Sequence, residues 1–200
     1  MCKILECDVD GVLFDIWTPV ENRLQYENID FKFDRDVCTY SMRETGERRK
    51  RLLELLLSAD IRKEADFFQG ADDFVSSLYE FCKKNDMRLL LNTHELYTDA
   101  AVVKGSRIAG LVRRTGIACD VNITVGGVKR MPSSFVVIDD CMDNLLLSPA
   151  ICRILFDRFH NRSNSDVTLQ YRNNILRGYS YDSILDILVN EVLIREKTSV

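Results

Sequence analysis

Two carboxylates separated by one apolar residue close a short hydrophobic run: Ile4-Leu5-Glu6-Cys7 leads into Asp8-Val9-Asp10-Gly11, and Val12-Leu13-Phe14 follows at once. On a strand, side chains two apart point the same way, so Asp8 and Asp10 share a face, Val9 packs on the other, and Gly11 permits a sharp exit. Such a pair suits a divalent cation and offers a carboxylate oxygen as nucleophile; oxygen-only ligation fits Mg²⁺. An Asp that caps a following helix would explain one of the two, not both flanking a Val.

Three further segments carry chemistry. Val136-Val137-Ile138 ends in Asp139-Asp140, with Asp143 and Asn144 just beyond. Adjacent carboxylates after a fully apolar strand repel and are costly to desolvate unless they face a cation. Leu89-Leu90-Leu91-Asn92 ends in Thr93-His94; the Thr93 hydroxyl and the His94 backbone N–H could donate to a phosphoryl oxygen, although Thr93 alone reads equally as a helix cap. Lys129, in Gly126-Gly127-Val128-Lys129, precedes Asp139 by ten residues and by itself reads as a solvated surface lysine.

These residues need a frame that brings strand ends together. Short apolar runs at Ile4 to Cys7, Met87 to Leu91, Val121 to Val125, Phe135 to Ile138 and Ile151 to Phe156 are separated by stretches long enough for helices. The alternation predicts an α/β fold, a three-layer Rossmann-like core with a parallel sheet. Apolar spacing predicts helices over Ala71 to Lys84, Tyr97 to Thr115 and Tyr181 to Ile194, the last beginning near Asp182-Ser183. The first two strands lie much further apart than one crossover helix requires, which predicts a small helical cap inserted after the first strand, at 17–66, with its helical centre at Arg43 to Ser58. The catalytic core is then 1–16 and 67–200. Asn161 to Ser165 reads as a loose surface loop.

Composition sets bounds. The chain has 200 residues, 46% hydrophobic and 29% charged, enough for one sizeable core. A formal charge of -4 argues against a general grip on long nucleic acid. The basic run Arg48-Arg49-Lys50-Arg51, flanked by Glu44, Glu47 and Glu54 and followed by leucines, reads as the solvated side of a helix. Seven cysteines, an odd number without a CxxC pair, suggest neither a disulfide framework nor a zinc site and point to a reducing cytoplasm. The first residues run straight into a strand and meet Glu6 too soon for a secretory signal, and no apolar stretch is long enough for a membrane span.

The order Asp-x-Asp-Gly-Val, strand-Thr, Lys, strand-Asp-Asp resembles the four motifs of the haloacid dehalogenase-like superfamily of phosphohydrolases, and within it the 5'(3')-deoxyribonucleotidase family. That family also places its cap after the first strand. Similarity extends to Asp66-Phe67-Phe68 and to Ile154-Leu155-Phe156-Asp157-Arg158-Phe159-His160-Asn161. The chain departs from it at His94, where members often have Ser or Pro, and at Cys38-Thr39-Tyr40, where the cap of members carries aromatic pairs.

The resemblance implies a phosphatase that uses Mg²⁺ to hydrolyse (deoxy)nucleoside monophosphates, as a monomer or homodimer. Asp8 would be the nucleophile and Asp10 the general acid and base, a dual role that needs a carboxyl pKa raised toward neutral. Asp8, Asp140 and the Asp10 backbone carbonyl would hold the metal, with Asp139 behind them. Thr93, the His94 N–H and Lys129 would bind phosphate. Phe14, Trp17 and Tyr40 are candidates to stack on the base, and each reads equally well as packing. His94 and His160 have structural roles on this reading. The alternatives are a phosphatase of the same superfamily for another small ester such as a sugar phosphate, or a non-catalytic member that binds a nucleotide or a partner.

Overall fold

The structure, a computed structural model, describes residues 2–29, 46–127, 129, 132–162 and 164–192. Strand β1 (Lys3–Asp8) is buried over its last four residues and lies in the middle of a six-stranded sheet. Its neighbours are β4 (Met87–Glu95) and β6 (Val136–Asp139); β5 (Asp120–Val125) flanks β4, and β7 (Cys152–Phe156) and β8 (Leu176–Gly178) continue beyond β6. Every pairing in this sheet is parallel. The chain starts centrally, moves outward through β4 to β5, then crosses back to β6 and runs out to β8 on the other side. The reversal lies beside β1, so the C-terminal ends of β1, β4 and β6 meet where open α/β sheets bind ligands.

The parallel register sorts side chains by face. Leu5, Cys7, Leu89, Leu91, Val136, Ile138, Ile154 and Phe156 point to one side and pack on α4 (Ala71–Lys84), α5 (Thr98–Thr115) and α8 (Tyr181–Ile187) through Phe74, Leu78, Ile108, Leu111 and Ile184. On the opposite side Val137 and Leu155 meet Met142 and Leu145 of α6 (Met142–Leu147), with Ile175 and the half-buried Leu169 of α7 (Asn164–Arg172). Nearer the β5 edge that second face is polar. Ser134 Oγ donates to Glu6 Oε2 at 2.6 Å, Asn92 Nδ2 to Glu6 Oε1 at 2.5 Å, and Asn122 Nδ2 to Asn92 Oδ1 at 2.7 Å. The crossover from β5 to β6 contains no helix among the described residues, and these hydrogen bonds satisfy the polar groups beneath it.

After β1 the chain forms β2 (Phe14–Asp15), which pairs antiparallel with β3 (Asp66–Phe67). Helices α1 (Trp17–Tyr26), α2 (Glu47–Leu57) and α3 (Ala59–Glu64) lie between those strands. Their apolar stripes meet in a small cluster of Val20, Leu24, Leu52, Leu55 and Ile61. Ser58 ends α2 and caps α3, its hydroxyl accepting from the Ile61 N–H at 3.2 Å. The insertion thus leaves and rejoins the core through adjacent strands. Arg51 in the basic run pairs with Glu27 and Glu54, consistent with a solvated helix side.

The structure revises several expectations. Asn161 is buried and starts no loose loop: its Nδ2 donates to Asp140 O at 2.8 Å and Phe156 O at 2.7 Å, so its polarity is consumed internally. Helix α7 then begins within the segment read as a loop. The last helix is capped by Ser180 rather than Asp182-Ser183 and passes into a π-helical turn at Leu188–Val192; residues 193 and 194 lie outside the described residues. α2 begins at Glu47, and residues 43–45 of the expected helical centre also lie outside them.

The join between β8 and α8 is close. A Cβ on Gly178 would lie 2.4 Å from Cγ1 of the buried Ile184. Gly178→Ala is therefore expected to cost about 1–3 kcal/mol by overpacking, read as a lower urea midpoint at unchanged slope.

Candidate functional site

β1 carries Asp8 to the C-terminal edge of the sheet, and β6, paired with it through Cys7 and Ile138, carries Asp139 beside it. Asp140 follows. One oxygen from each of Asp8, Asp139 and Asp140 lies within 4.8 Å of the others, and all three residues are buried. Lys129 reaches between them, its Nζ 2.6 Å from Asp8 Oδ1 and 2.8 Å from Asp139 Oδ2. Lys129, which taken by itself reads as a surface lysine, is thus an internal counter-ion, its side chain 8% exposed.

One ammonium does not balance three carboxylates. Burial pushes the Asp8 carboxyl well above the usual range, and Asp139 and Asp140 add to this against the opposing pull of Lys129. Burial raises Asp139 as well. Lys129 is itself held well above its usual value, because Asp139 and Asp8 outweigh the lowering effect of its burial. An all-oxygen, electron-rich, buried cluster is a donor set for a hard divalent cation, and Asp8, Asp139 and Asp140 could hold one.

The three oxygen pairs are not equally available. Asp139 Oδ1 accepts from the Cys141 N–H at 2.8 Å, and Asn144 Nδ2 lies 3.2 and 3.1 Å from its two oxygens, in addition to Lys129. Asp140 faces His160, whose Nε2 is 2.9 Å from Oδ2. Its carboxylate also fills the space above Gly11: a Cβ there would lie 1.7 Å from Asp140 Oδ2, and φ is +71°. Gly11 is thus fixed by close approach as well as by the turn. The turn is pinned from behind by Arg158, which donates to the Gly11 and Val12 carbonyls, and by Tyr181 Oη, which donates to Val12 O at 2.7 Å.

Asp10 has a different environment. Its Oδ2 pairs with Lys104 Nζ, while Oδ1 is buried with no hydrogen-bond partner among the described residues. Burial alone would raise its carboxyl, but Lys104 and Arg62 hold it below the usual range. The raised value expected for a general acid is therefore absent from this arrangement; Lys104, Arg62 and Lys129 together outweigh the effect of burial. Lys104 Nζ also lies 3.2 Å from Thr93 Oγ1 and 3.3 Å from His94 O. Thr93 is buried in β4 and, accepting from Lys104, keeps its own hydroxyl hydrogen to donate. His94 is half-buried on the same strand.

The aromatic candidates separate. Phe14 is fully buried in the main core, its ring 5.2 Å from that of Phe67, so it packs and lines no open site. Trp17 is nearly buried at the start of α1, its ring 6.1 Å from His160, and so adjoins the Asp140 side of the cluster. Tyr40 lies outside the described residues. Sequence reasoning passed over Lys104 and the contact of His160 with Asp140, and noted Asn144 without giving it a role. Lys104 had a signal: it falls between Ala100 and Ile108 at intervals of four on the buried stripe of α5, where a lysine needs a partner.

No protein-family model matches the chain, and no curated protein matches it significantly. Among solved structures, it is similar to a protein from Clostridium difficile provisionally described as a phosphatase. The two share 14% identity with a TM-score of 0.54, over 93% of this chain and 98% of the other. The likeness is one of fold. Among the described residues, no helix is long and apolar enough to cross a membrane.

If the carboxylate cluster holds a cation, titration with Mg²⁺, Mn²⁺ or Ca²⁺ should stabilise the protein, by about 2.7 kcal/mol at a hundredfold excess over Kd. Gly11→Ala, which displaces the Asp140 carboxylate, is expected to remove most of that gain. Thermal melts with and without each ion measure both.

Proposed function

We propose that the chain is a Mg²⁺-dependent phosphatase of the haloacid dehalogenase-like type that hydrolyses (deoxy)nucleoside monophosphates. The observation that carries this reading is the Asp8 carboxylate at the central strand's end, held 2.6 Å from Lys129 beside Asp139 and Asp140, with Thr93 and Asp10 on its other flank. The motif order and a fold shared with a provisionally described phosphatase support it.

An oxygen of Asp8 attacks the phosphorus of the monoester and the bond to the sugar oxygen breaks, leaving an aspartyl-phosphate. A phosphate dianion arriving beside Asp10 raises that carboxyl's proton affinity, so Asp10 takes up a proton on binding and passes it to the leaving oxygen. It then accepts a proton from the water that attacks the aspartyl-phosphate, which regenerates Asp8 and frees phosphate. Lys129 and the Thr93 hydroxyl orient and neutralise the transferring oxygens. Asp8, Asp140 and the Asp10 backbone carbonyl would hold Mg²⁺, which when bound offsets charge on the phosphoryl group; Asp139, engaged by Lys129, Asn144 and the Cys141 N–H, supports them from behind.

The insertion at 17–66 serves as the cap that selects the leaving group, with Trp17, whose ring adjoins His160, as a candidate to stack on the base. Core and cap divide the chain as 1–16 with 67–200, and 17–66.

Asp8→Asn is expected to lower phosphate release from dTMP or dUMP by at least about 10³-fold while leaving the fold intact; substantial turnover by the purified variant would overturn the nucleophile assignment. EDTA should stop the reaction and Mg²⁺ restore it. A kinetic panel that favours sugar phosphates over deoxynucleoside monophosphates would overturn the substrate assignment.

A further inference from the structure

Four charged side chains from four separate segments form one continuous line from the insertion to Asp10. Arg62, on α3, grips Glu95 at the end of β4 through two bonds, Nε to Oε1 at 2.5 Å and Nη2 to Oε2 at 3.2 Å. Glu95 Oε1 also pairs with Lys104 Nζ on α5, and Lys104 pairs with Asp10 Oδ2. The side chains of Arg62, Glu95 and Lys104 are 5%, 2% and 0% exposed. With Thr93 Oγ1 and His94 O as its other contacts, the Lys104 ammonium has no hydrogen to spare.

Such a line is an expensive way to fasten a helix. Ile61 on α3 already packs against Val20, Leu24, Leu52 and Leu55, and apolar contacts hold an element without the desolvation that buried charges require. What the charges add is a shared group: Glu95 holds both α3 and Lys104, and Lys104 holds the Asp10 carboxylate. Displacing α3 removes the Arg62 fork from Glu95 and leaves Lys104 facing an uncompensated second carboxylate, so its hold on Asp10 changes.

We infer that Arg62, Glu95 and Lys104 are positioning residues that make the orientation of the Asp10 carboxylate conditional on the seating of α3 against the core. This rests on the proton-transfer role given to Asp10 under the proposed function. Transfer to the leaving group is then available when the insertion is in place.

Two readouts on Lys104→Met, Arg62→Met and the double variant test it. The first is amide hydrogen exchange across residues 59–64, with residues 71–84 of α4 as an internal control. Both single variants should lose roughly tenfold protection in α3 but not in α4, and the double variant no more than either single. Unchanged α3 exchange in Lys104→Met, or equal losses in both helices, would overturn the coupling. The second readout is the single-turnover burst of alcohol release, which reports the ester-cleaving step alone, on p-nitrophenyl phosphate, whose leaving group needs no proton, and on dTMP, whose leaving group does. Both variants should lose about 10²-fold in the burst rate on dTMP and less than about threefold on p-nitrophenyl phosphate, because only the first step differs in its need for a proton. Equal losses on the two esters, or a change confined to KM, would reduce the three residues to structural ones and overturn the inference. Should Lys104→Met fail to fold, Arg62→Met carries both measurements. A wild-type protein that hydrolyses neither ester overturns the proposed function, and the exchange measurement still decides the coupling.

Discussion

Three carboxylates meet at the end of the central strand with one lysine between them, in a place largely shielded from water. Isolated, that arrangement is strongly unfavourable, because each charge loses hydration and repels its neighbours. The surrounding fold holds it together. Parallel register sets Asp8 beside Asp139, and Lys129 on the crossover from β5 reaches between them. The Cys141 N–H and Asn144 at the start of α6 take up lone pairs of Asp139, while Asn161 anchors the Asp140 carbonyl. Gly11 leaves open a position where a side chain would collide with Asp140. The residual negative charge makes these carboxylates a donor set that could hold a cation.

The same constraint explains why two aspartates, two residues apart, behave oppositely. Lys129 is shared between Asp8 and Asp139, so burial and repulsion prevail and the Asp8 carboxyl is pushed above its usual range. Asp10 turns away from that cluster toward Lys104, reinforced by Arg62, and is held ionised. The two carboxylates therefore differ by which lysine each meets. Lys129 comes from the β5–β6 crossover and Lys104 from α5, on opposite flanks of the site.

Much of this was legible in the sequence, for physical reasons that also mark the boundary of legibility. Strands buried on both faces must be apolar runs, so β1, β4, β6 and β7 announced themselves, whereas Asp10 lies beyond the end of β1 and meets Lys104 rather than sharing the surroundings of Asp8. α4 carries its stripe over fourteen residues and was read to its ends. By contrast α6 has six residues and β8 three, too few for a period to show, and α7 is polar enough to pass for a loop. Lys104 was missed for a different reason. Its meaning depends on Asp10 and Glu95, and an ion pair bridging 94 residues leaves no local pattern beyond a charge on an apolar stripe. Phe14 shows the converse: its aromatic type suggested a ligand contact, but the β2–β3 ladder turns the ring into the core against Phe67.

The ladder also decides where the insertion can act. Because β2 follows Gly11 within a few residues and β3 pairs with it, both ends of the insertion are tied to the turn that aims Asp10. Arg158 and Tyr181 clamp that turn from the core side, and Arg158 stacks on Phe68, directly after β3, at 3.9 Å. Displacing the insertion at its base would therefore disturb the turn through the backbone. The buried line from Arg62 to Lys104 reaches the same carboxylate from the insertion's far side, through side chains alone. With the Asp10 backbone held at the hinge and its carboxylate held from α3, the group is fixed at both ends only when the insertion is seated, which is the condition under which water is best kept from the cluster.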